Sequence, residues 1–517
     1  MNETDSRPRA ISTTTLILIG LALFKLFLHF YVNTYTAYGF FRDELYFLAC
    51  GEHLAWGYVD QPPLVAVAGW ASRALLGDSM IAVRFLPAVA GALKVLLVGM
   101  MAREMGGGRF AQVTAAIMAL ISGVYLANDN FLSLNSFDQL FWALGAYLFI
   151  LILKRDNPRL WIAFGAVAGI GVLNKYSMFF FGAGLVAGLA LTPARKYFAS
   201  PWLYAGGALA FLIALPNFVW QHTRGWPQLE LLLRVDQLKN APFDAGNFLI
   251  GSAMQMNPFS IPIWLAGLCF LLFLRNGKAY RALGWQFVAV VALLTYGRGK
   301  PYYLAPAYPP LLAAGALACE QFFNARLWNW AKPVLIVFLL IGGVIALPFG
   351  LPILPVETFI RYKTALGQKE IETERHEMGP LPQFFADMHG WPELVAEVAR
   401  VYHSLPATER ARTAIFCSNY GEAAAVDFFG PAHGLPHAIS GHNNYWYWGP
   451  GKSTGEIVIT VGESLEDVSK SFEEIVVAGK FSHPYVMPYE TRRPIYLCRK
   501  PKFKSIEEIW PRTKNLI

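Results

Sequence analysis

Residues 13–64 read TTTLILIGLALFKLFLHFYVNTYTAYGFFRDELYFLACGEHLAWGYVDQPPL, an apolar run that leads directly into a segment rich in acids and aromatics. The run approaches the roughly 20 residues that a helix needs to cross a hydrocarbon core. Because no small-residue cleavage site follows it, we interpret it as a first membrane span that is retained. The stretch therefore predicts a span followed by a long polar loop.

Similar apolar runs recur through the first two thirds of the chain. They lie at residues 85–101, 140–153, 204–219, 261–274 and 333–347. Hydrophobic residues make up 55% of the 517 residues and charged residues only 15%, whereas soluble domains carry about 25% charged residues. This composition argues against a soluble protein and predicts a polytopic α-helical membrane protein.

The distribution of basic residues predicts the orientation of about eleven spans. We place the spans near residues 12–32, 82–102, 110–127, 137–153, 159–173, 177–192, 203–220, 248–274, 283–296, 304–323 and 332–352. Lys and Arg gather in the short loops after even-numbered spans, which the positive-inside rule assigns to the cytoplasm. The N-terminus is then cytoplasmic, and the loop 33–81 and the region 353–517 are extracytoplasmic. The net charge of +8 does not predict a nucleic-acid partner, because basic residues are spread over short loops between the spans and do not form one patch.

The chain divides near residue 352 into a membrane domain, 1–352, and a soluble domain, 353–517. In the second part the apolar runs shorten to strand length, as at 413–417 and 457–461. The segment TAIFCSNYGEAAAVDFFG, residues 413–430, predicts a strand, a tight turn at Gly421 and a helix, which is typical of an α/β unit. No GxGxxG or GxxxxGK[ST] motif follows a strand, so we predict no nucleotide cofactor.

Two features of the soluble part allow more than one interpretation. The segment GHNNYWYWGPG, residues 441–451, carries amides and aromatics that either bind a sugar or pack against the membrane face of the domain. Cys417 and Cys498 either pair in an oxidising compartment or remain two buried thiols. None of the five cysteines has the spacing of a metal or redox motif.

The acids Asp43 and Glu44 open a predicted interfacial helix in the first outer loop. Leu45, Leu48 and Trp56 follow at helical spacing with apolar and aromatic character. Acids at a helix start are favoured by the helix dipole alone. Two carboxylates at a membrane surface also suit a general base or a polar anchor for a sugar. Both interpretations remain open at this point.

Asp138 opens the fourth predicted span, immediately before LFWALGAYLFI. An ionisable residue at that depth is costly unless it is paired or faces a polar cavity. We therefore consider Asp138 a candidate functional acid, with a helix cap at the water boundary as the alternative. Asp129, one loop earlier, is predicted to be solvated.

Arg298 and Lys300 form a basic pair on an outer loop that is otherwise apolar, GRGKPYYLAPAYPP. Basic residues kept against the orientation bias suggest an anionic ligand, and a lipid phosphate suits both side chains. The alternative is that they snorkel to lipid headgroups.

The histidines give a weaker indication of function than the acids and the basic pair do. His53 and His222 fall at the predicted cavity edge, where a lone histidine is more often structural. No HExxH motif, Ser-His-Asp motif, haem box or EF-hand is present in the sequence. A protein-bound cofactor is therefore not predicted, although an acid pair at a phosphate site can hold a divalent ion.

Three segments resemble bacterial membrane glycosyltransferases of the GT-C type, a superfamily that includes protein O-mannosyltransferases, the lipid A aminoarabinose transferase and rhizobial galacturonosyltransferases. The segments are RDELYFLACGEHLAWGYVDQPPL, NSFDQLFWALGAYL and GRGKPYYLAPAYPPLLAAGA, and the resemblance covers most of residues 15–325. The segment CSNYGEAAAVDFFGP and the aromatic segment 441–451 also resemble the extracytoplasmic tail of a bacterial branch.

This resemblance implies a GT-C membrane domain with a cavity between the membrane and the outer loops. It implies that Asp43, beside Glu44, is the catalytic acid and that Asp138 is a second functional acid. Further roles are implied for the loops. The region that meets the donor phosphate is implied to contain Arg298, Lys300 and Tyr302. The substrate cavity is implied to contain His53, Asp60, Gln61 and His222. Relatives that act on lipid A carry Lys where this chain has Gln61, so Lys300 is expected to replace that contact.

The predicted function is transfer of a sugar from a polyprenyl-phosphate donor to an envelope acceptor, at the outer face of a bacterial inner membrane. The acceptor is lipid A, lipopolysaccharide, another glycan or a protein. A carboxylate deprotonates the acceptor hydroxyl, a cation stabilises the leaving phosphate, and the anomeric centre is inverted. The alternatives are a transporter or flippase, whose ionisable groups lie near the midplane of repeated halves, and a noncatalytic assembly protein.

Overall fold

The structure is a computed structural model that describes residues 11–238, 242–368 and 377–516. The chain before residue 353 is helical. Its first eight helices are α1 Thr13–Tyr35, α2 Arg42–Glu52, α3 Leu64–Leu76, α4 Met80–Glu104, α5 Arg109–Leu120, α6 Gly123–Asn128, α7 Leu134–Arg155 and α8 Leu160–Asn174. The next eight are α9 Met178–Ala190, α10 Pro201–Thr223, α11 Pro227–Leu238, α12 Ala245–Met256, α13 Ile261–Phe273, α14 Arg281–Tyr296, α15 Pro309–Ala325 and α16 Ala331–Gly350.

The apolar helices are those of a multi-pass membrane protein. Five of the described helices, α1, α4, α7, α10 and α16, are long and apolar enough to cross a membrane, and the number rises to seven if each of two sharply bent pairs counts as one span. Each predicted span contains at least one helix. Helices such as α5 are short, because 12 residues rise only about 18 Å. The total of about eleven spans therefore stays a prediction.

The first long loop folds into two helices, α2 and α3. The interfacial helix is α2, which ends at Glu52, so the prediction that Trp56 continues its apolar face is wrong. Trp56 lies in the connection to α3, with a largely exposed side chain. The core face of α2 carries Leu45, Leu48 and Ala49, all buried. This face fixes the direction in which the acids at the start of α2 point.

The chain after residue 353 contains a five-stranded mixed sheet. Its strands are β1 Thr413–Cys417, β2 Ala438–Ile439, β3 Ile457–Val461, β4 Phe472–Phe481 and β5 Arg493–Pro501, in the order β2-β1-β3-β5-β4. β2, β1 and β3 are parallel, and β5 pairs antiparallel with both β3 and β4. The helices are α17 Val356–Ala365, α18 Gln383–Ala386, α19 Trp391–His403, α20 Ala407–Arg410, α21 Tyr420–Phe429, α22 Asn444–Trp448, α23 Leu465–Ser471 and α24 Ile506–Ile509.

The predicted strand, turn and helix of residues 413–430 are confirmed as β1 and α21. The role predicted for Gly421 is wrong, because this residue lies within the helix. A side chain at Gly421 would lie 2.5 Å from Cγ of Arg42. The glycine therefore permits close approach of α2. Cys417 and Cys498 are buried free thiols.

α2 and the sheet domain share one apolar core. Leu45, Phe47 and Cys50 of α2 belong to the same buried cluster as Ile415 of β1 and Ala423 of α21. Burial of one such large side chain contributes about 1.5–3 kcal/mol. The domain thus holds the helix that carries the predicted catalytic acid.

The prediction that Asp129 is solvated is wrong. Its side chain is fully buried between two lysines. Lys25 Nζ lies 2.7 Å from one carboxylate oxygen, and Lys94 Nζ lies 2.8 Å from the other. The prediction failed because neither lysine is near Asp129 in the sequence.

Candidate active site

Asp43 lies in the first turn of α2 and is the most accessible of the predicted acids. Its side chain is 36% exposed. The hydroxyl of Tyr420, from α21, donates a hydrogen bond of 2.8 Å to Asp43 Oδ1. Because the second oxygen is not used by this bond, the carboxylate is both oriented and accessible. It therefore has the geometry that a general base requires.

Glu44 has a different environment, although it is the next residue. It is fully buried and forms a two-pronged ion pair with Arg84, with distances of 2.9 Å from Nε to Oε1 and 2.6 Å from Nη2 to Oε2. Its oxygens also accept hydrogen bonds from the backbone N–H groups of Phe41 and Leu132. The bond to Phe41 caps α2. In place of the predicted catalytic role, we assign Glu44 a positioning role.

Asp60 lies in the first loop, where its side chain faces the soluble domain. Its Oδ1 accepts a hydrogen bond of 3.0 Å from the hydroxyl of Tyr46 and one of 3.4 Å from Nδ2 of Asn444. Burial raises the pKa of the Asp60 carboxyl to about 7, and the nearby Asp43 carboxylate acts in the same direction. The aromatic segment 441–451 thus reaches the first loop through Asn444.

We expect Asp60→Asn to stabilise the folded protein above neutral pH. In the native state Asp60 holds its proton to about pH 7, whereas an unfolded Asp releases it near pH 4. The wild type therefore loses stability as pH rises through this window, and Asn lacks that dependence. The Tm of Asp60→Asn in detergent should exceed that of wild type more at about pH 8 than at about pH 5. Equal differences at both pH values would contradict a raised pKa.

Arg42 anchors the start of α2 to the soluble domain. Its Nη1 donates a hydrogen bond of 2.9 Å to the hydroxyl of Tyr489. The carboxylates of Asp387 and Glu490 lie 3.8 Å and 3.7 Å from its guanidinium group, and Asp43 Oδ1 lies 3.7 Å from its Nε. The guanidinium therefore lies between the Asp43 carboxylate and the soluble domain. Sequence reasoning missed this arginine because its partners in the soluble domain lie more than 300 residues away.

Asp138 lies near the start of α7 in a second polar cluster. It accepts a short hydrogen bond from Ser177 Oγ, and Lys175 Nζ lies 3.8 Å from its Oδ2. Lys175 also donates a hydrogen bond of 2.8 Å to Asn135 Oδ1. Asp138 is almost fully buried, whereas the side chain of Lys175 is 19% exposed. Asp138 is therefore paired with a lysine whose side chain is partly exposed.

Sequence reasoning missed Lys175, although a signal was present. The residue lies in the short connection between α8 and α9, which the predicted topology places outside, where lysines are disfavoured. The ammonium group lies 5.6 Å from the ring centre of Tyr302 and 4.8 Å from that of Tyr303. The structure thus brings Asp138 and the predicted donor segment together through Lys175.

Arg298 and Lys300 lie in the loop between α14 and the 3₁₀ helix that contains Tyr302. Arg298 is exposed and has a left-handed backbone with φ of 53°, and Lys300 is partly buried. Non-glycine residues in this conformation are uncommon and often functional. Their role in phosphate binding stays a prediction.

The remaining predicted cavity residues lie in different surroundings. The ring of His53 stacks on that of Trp448 at 4.3 Å. Gln61 is 1% exposed and its Nε2 donates to Cys50 Sγ at 3.7 Å, so it stabilises the loop instead of facing substrate. His222 lies on the exposed side of α10, whereas its neighbour Gln221 is buried against the first loop.

Asn217 of α10 bonds both to the first loop and to the residue beside Lys175. Its Nδ2 donates a hydrogen bond of 2.8 Å to the backbone oxygen of Trp56, and its Oδ1 accepts a short one from Tyr176, the residue after Lys175.

Within the described parts of the chain, no group of three or more His, Cys, Asp or Glu side chains is arranged to hold a metal ion.

One protein-family model matches part of the chain. The model of the family described as dolichyl-phosphate-mannose-protein mannosyltransferase matches residues 60–220. This range starts at Asp60 and includes Asp138 and Lys175. It ends within α10.

Two curated relatives match over longer ranges. The chain is 25% identical over 293 residues to the lipid A galacturonosyltransferase RgtD of Rhizobium johnstonii, which covers 54% of this chain and 59% of the relative. It is 23% identical over 333 residues to an uncharacterized protein of Aquifex aeolicus, covering 61% and 65% respectively. The chain thus spans less than two thirds of the length of either relative.

Solved structures of ArnT from Cupriavidus metallidurans have the same fold. The apo structure matches with a TM-score of 0.60 at 14% identity, over 93% of this chain and 97% of ArnT. The structure with undecaprenyl phosphate matches with a TM-score of 0.59, over 94% and 98%. The family match, the RgtD relative and this shared fold agree with the resemblance to GT-C membrane glycosyltransferases.

Proposed function

We propose that this protein transfers a sugar from a polyprenyl-phosphate donor to an envelope acceptor at the extracytoplasmic face of a bacterial inner membrane. About eleven spans leave the N-terminus in the cytoplasm and the region 353–517 outside. Similarity to the mannosyltransferase family model and to RgtD, together with the ArnT structure bound to undecaprenyl phosphate, supports a lipid-linked donor. Membrane lipids surround the apolar helices, and nucleic acid is not a partner.

The observation that carries the proposal is the position of Asp43. It is a partly exposed carboxylate at the head of α2, oriented by Tyr420 and flanked by Arg42. Asp43 accepts the proton of an acceptor hydroxyl while the hydroxyl oxygen bonds to the anomeric carbon. The bond from that carbon to the phosphate oxygen breaks, and polyprenyl phosphate leaves with the electron pair. Attack from the face opposite the phosphate inverts the anomeric centre.

The phosphate leaves beside the second cluster. We assign Lys175 as a cation that stabilises the developing charge, with Arg298, Lys300 and Tyr302 completing the phosphate site. Asp138 holds Lys175 from the buried side. A preorganised cation in a water-poor site costs little reorganisation during the reaction. In this arrangement Asp43 acts as the general base, and Asp138 positions the cation that stabilises the phosphate.

The acceptor and sugar are proposed from the named relatives. RgtD is named for transfer of galacturonic acid to lipid A, which favours a uronic sugar and a lipid A type glycolipid here. A divalent ion bound at the donor phosphate would assist departure of the leaving group. The two adjacent acids do not chelate one together, since Glu44 faces Arg84 and Asp43 faces Tyr420. Activity after treatment with a chelator tests this point.

Reconstituted protein provides the main test. Vesicles that contain the purified protein, lipid A and a polyprenyl-phosphate-linked uronic acid should yield glycosylated lipid A and an equal amount of free polyprenyl phosphate, by mass spectrometry. Matched reactions with hexose and pentose donors measure sugar preference. Uptake of labelled donor into vesicles without transfer would instead support a transporter. Lipid A from a deletion strain should lack the same sugar.

The proposed side of catalysis predicts the location of the C-terminus. A periplasm-specific reporter, such as alkaline phosphatase, fused after the last residue should be active, and a cytoplasm-only reporter there should be silent. The reason is the alternation of basic loops through an odd number of spans. A fusion within the basic loop after α7 provides the opposite control. An active cytoplasmic reporter at the C-terminus would contradict the topology.

A further inference from the structure

A buried charge cluster lies among the apolar helices and takes no part in the proposed chemistry. It consists of Lys25 of α1, Lys94 of α4 and Asp129 after α6, each 0% exposed. Two cations face one anion. Removing an ion from water costs several kcal/mol even after relaxation, and ionisable residues within a membrane domain are functional candidates by default. A site of this kind calls for a role beyond packing.

The surrounding helices are built to admit the buried charge cluster. Lys25, His29 and Asn33 recur at intervals of four residues, so they form one polar stripe on α1. Gly91 of α4 leaves room for the carboxylate of Asp129, because a side chain there would lie 2.4 Å from Asp129 Oδ2. The stripe continues to Asn130, whose Oδ1 lies 3.2 Å from Nδ1 of His29.

Lys94 connects the buried charge cluster to the second polar cluster of the active site. Its ammonium group donates a short hydrogen bond to Oε1 of Gln139, the residue after Asp138 on α7. It also lies 4.4 Å from the ring centre of Tyr125. The hydroxyl of Tyr125 donates a hydrogen bond of 2.9 Å to the backbone oxygen of Ala305, in the segment that follows Lys300. Lys94 therefore contacts α7 directly, and it is linked to the segment after Lys300 through Tyr125.

Lys25 has the same charge and burial but different contacts. It pairs with Asp129, and its ammonium group lies 5.9 Å from the ring centre of Tyr125. Among the described residues, its Nζ has no hydrogen-bond partner on α7. Lys25 and Lys94 thus neutralise the same acid, and only Lys94 is bonded to the helix that carries Asp138.

We propose that Lys94 is a positioning residue for sugar transfer, which fixes the start of α7 through Gln139 and so holds Asp138 and Lys175 in register with the donor phosphate. This inference rests on the proposed function. Asp129 supplies the counter-charge that keeps the Lys94 ammonium group in place within the membrane domain. The donor still binds when Lys94 is lost, and the reaction slows because the phosphate cation is misplaced.

The matched pair Lys94→Met and Lys25→Met tests the proposal. Each variant removes one ammonium group of similar burial, and each leaves a neutral pair of one lysine with Asp129. We expect Lys94→Met to lower kcat about 100-fold, since a displacement of about 1 Å can cost that much. The KM for the polyprenyl-phosphate sugar should change less than about threefold, and kcat of Lys25→Met should fall less than about fivefold.

Gln139→Leu removes the hydrogen bond between Lys94 and Gln139 by changing the residue on α7. This variant provides the test if Lys94→Met does not fold. It should lower kcat to a similar extent, and the double variant should lose little more than either single one. Equal losses in Lys94→Met and Lys25→Met, or full kcat in Gln139→Leu, would overturn the positioning role. Absence of sugar transfer by the wild type with every donor would instead count against the proposed function.

Discussion

Asp43→Asn is expected to lower kcat about 10²–10⁴-fold, the usual contribution of a general base. Asn has the same shape and still accepts the hydrogen bond from Tyr420, so folding should be retained. It lacks the negative charge and the basicity that take a proton from the acceptor. The N-terminus of α2 is capped by Glu44 and not by Asp43, so the substitution leaves the helix cap intact.

Transfer rates with saturating donor and acceptor measure the effect, and the Tm in detergent confirms folding. Asp78→Asn is a matched control, because Asp78 is a well exposed acid of the same outer loop that pairs with Arg73 at 2.5 Å. Its kcat should stay within about twofold of wild type. Near-normal transfer by a folded Asp43→Asn protein would remove Asp43 from the catalytic role.

Lys175→Met should lower kcat about 10²–10³-fold, comparable to the loss of one preorganised donor at a site of developing charge. Met keeps the length and apolar stem of the side chain and removes its charge. The loss should exceed that of Arg298→Ala or Lys300→Ala, because Arg298 is exposed and solvent weakens its field. These two variants should mainly raise the KM for the donor.

Steady-state kinetics with varied donor concentration separate these effects. Lys196→Met is the control, since Lys196 is exposed and pairs with Asp156 at 2.7 Å on the surface. A Lys175→Met protein with unchanged kcat would exclude Lys175 from phosphate stabilisation. A loss that appears equally in Lys196→Met would indicate a general effect of removing a cation.

The parts of the structure that depend on neighbouring residues could be predicted from the sequence. Asp43 at the head of a helix and the strand and helix of residues 413–430 follow from local pattern. Partners across long distances could not be predicted. Glu44 pairs with Arg84, 40 residues away, and Tyr420 reaches Asp43 across 377 residues. Local sequence gives the direction of a side chain but not the helix that packs against it.

The same limit explains why the two adjacent acids were predicted to act as a pair. Successive residues on a helix point about 100° apart, so Asp43 faces the outer surface of the loop while Glu44 faces the core. Lys175 was missed for a related reason. It becomes informative only when α7, α9 and the segment after Lys300 are seen together.

The apolar core shared by α2 and α21 limits how this protein can be recombined with its relatives. A chimaera that exchanges residues 353–517 for the tail of a relative would remove Tyr420 from Asp43 and Asn444 from Asp60. It would also place a foreign surface against Leu45 and Phe47. The membrane part and the tail are therefore not interchangeable modules, and their contacting surfaces must change in concert as related sequences diverge.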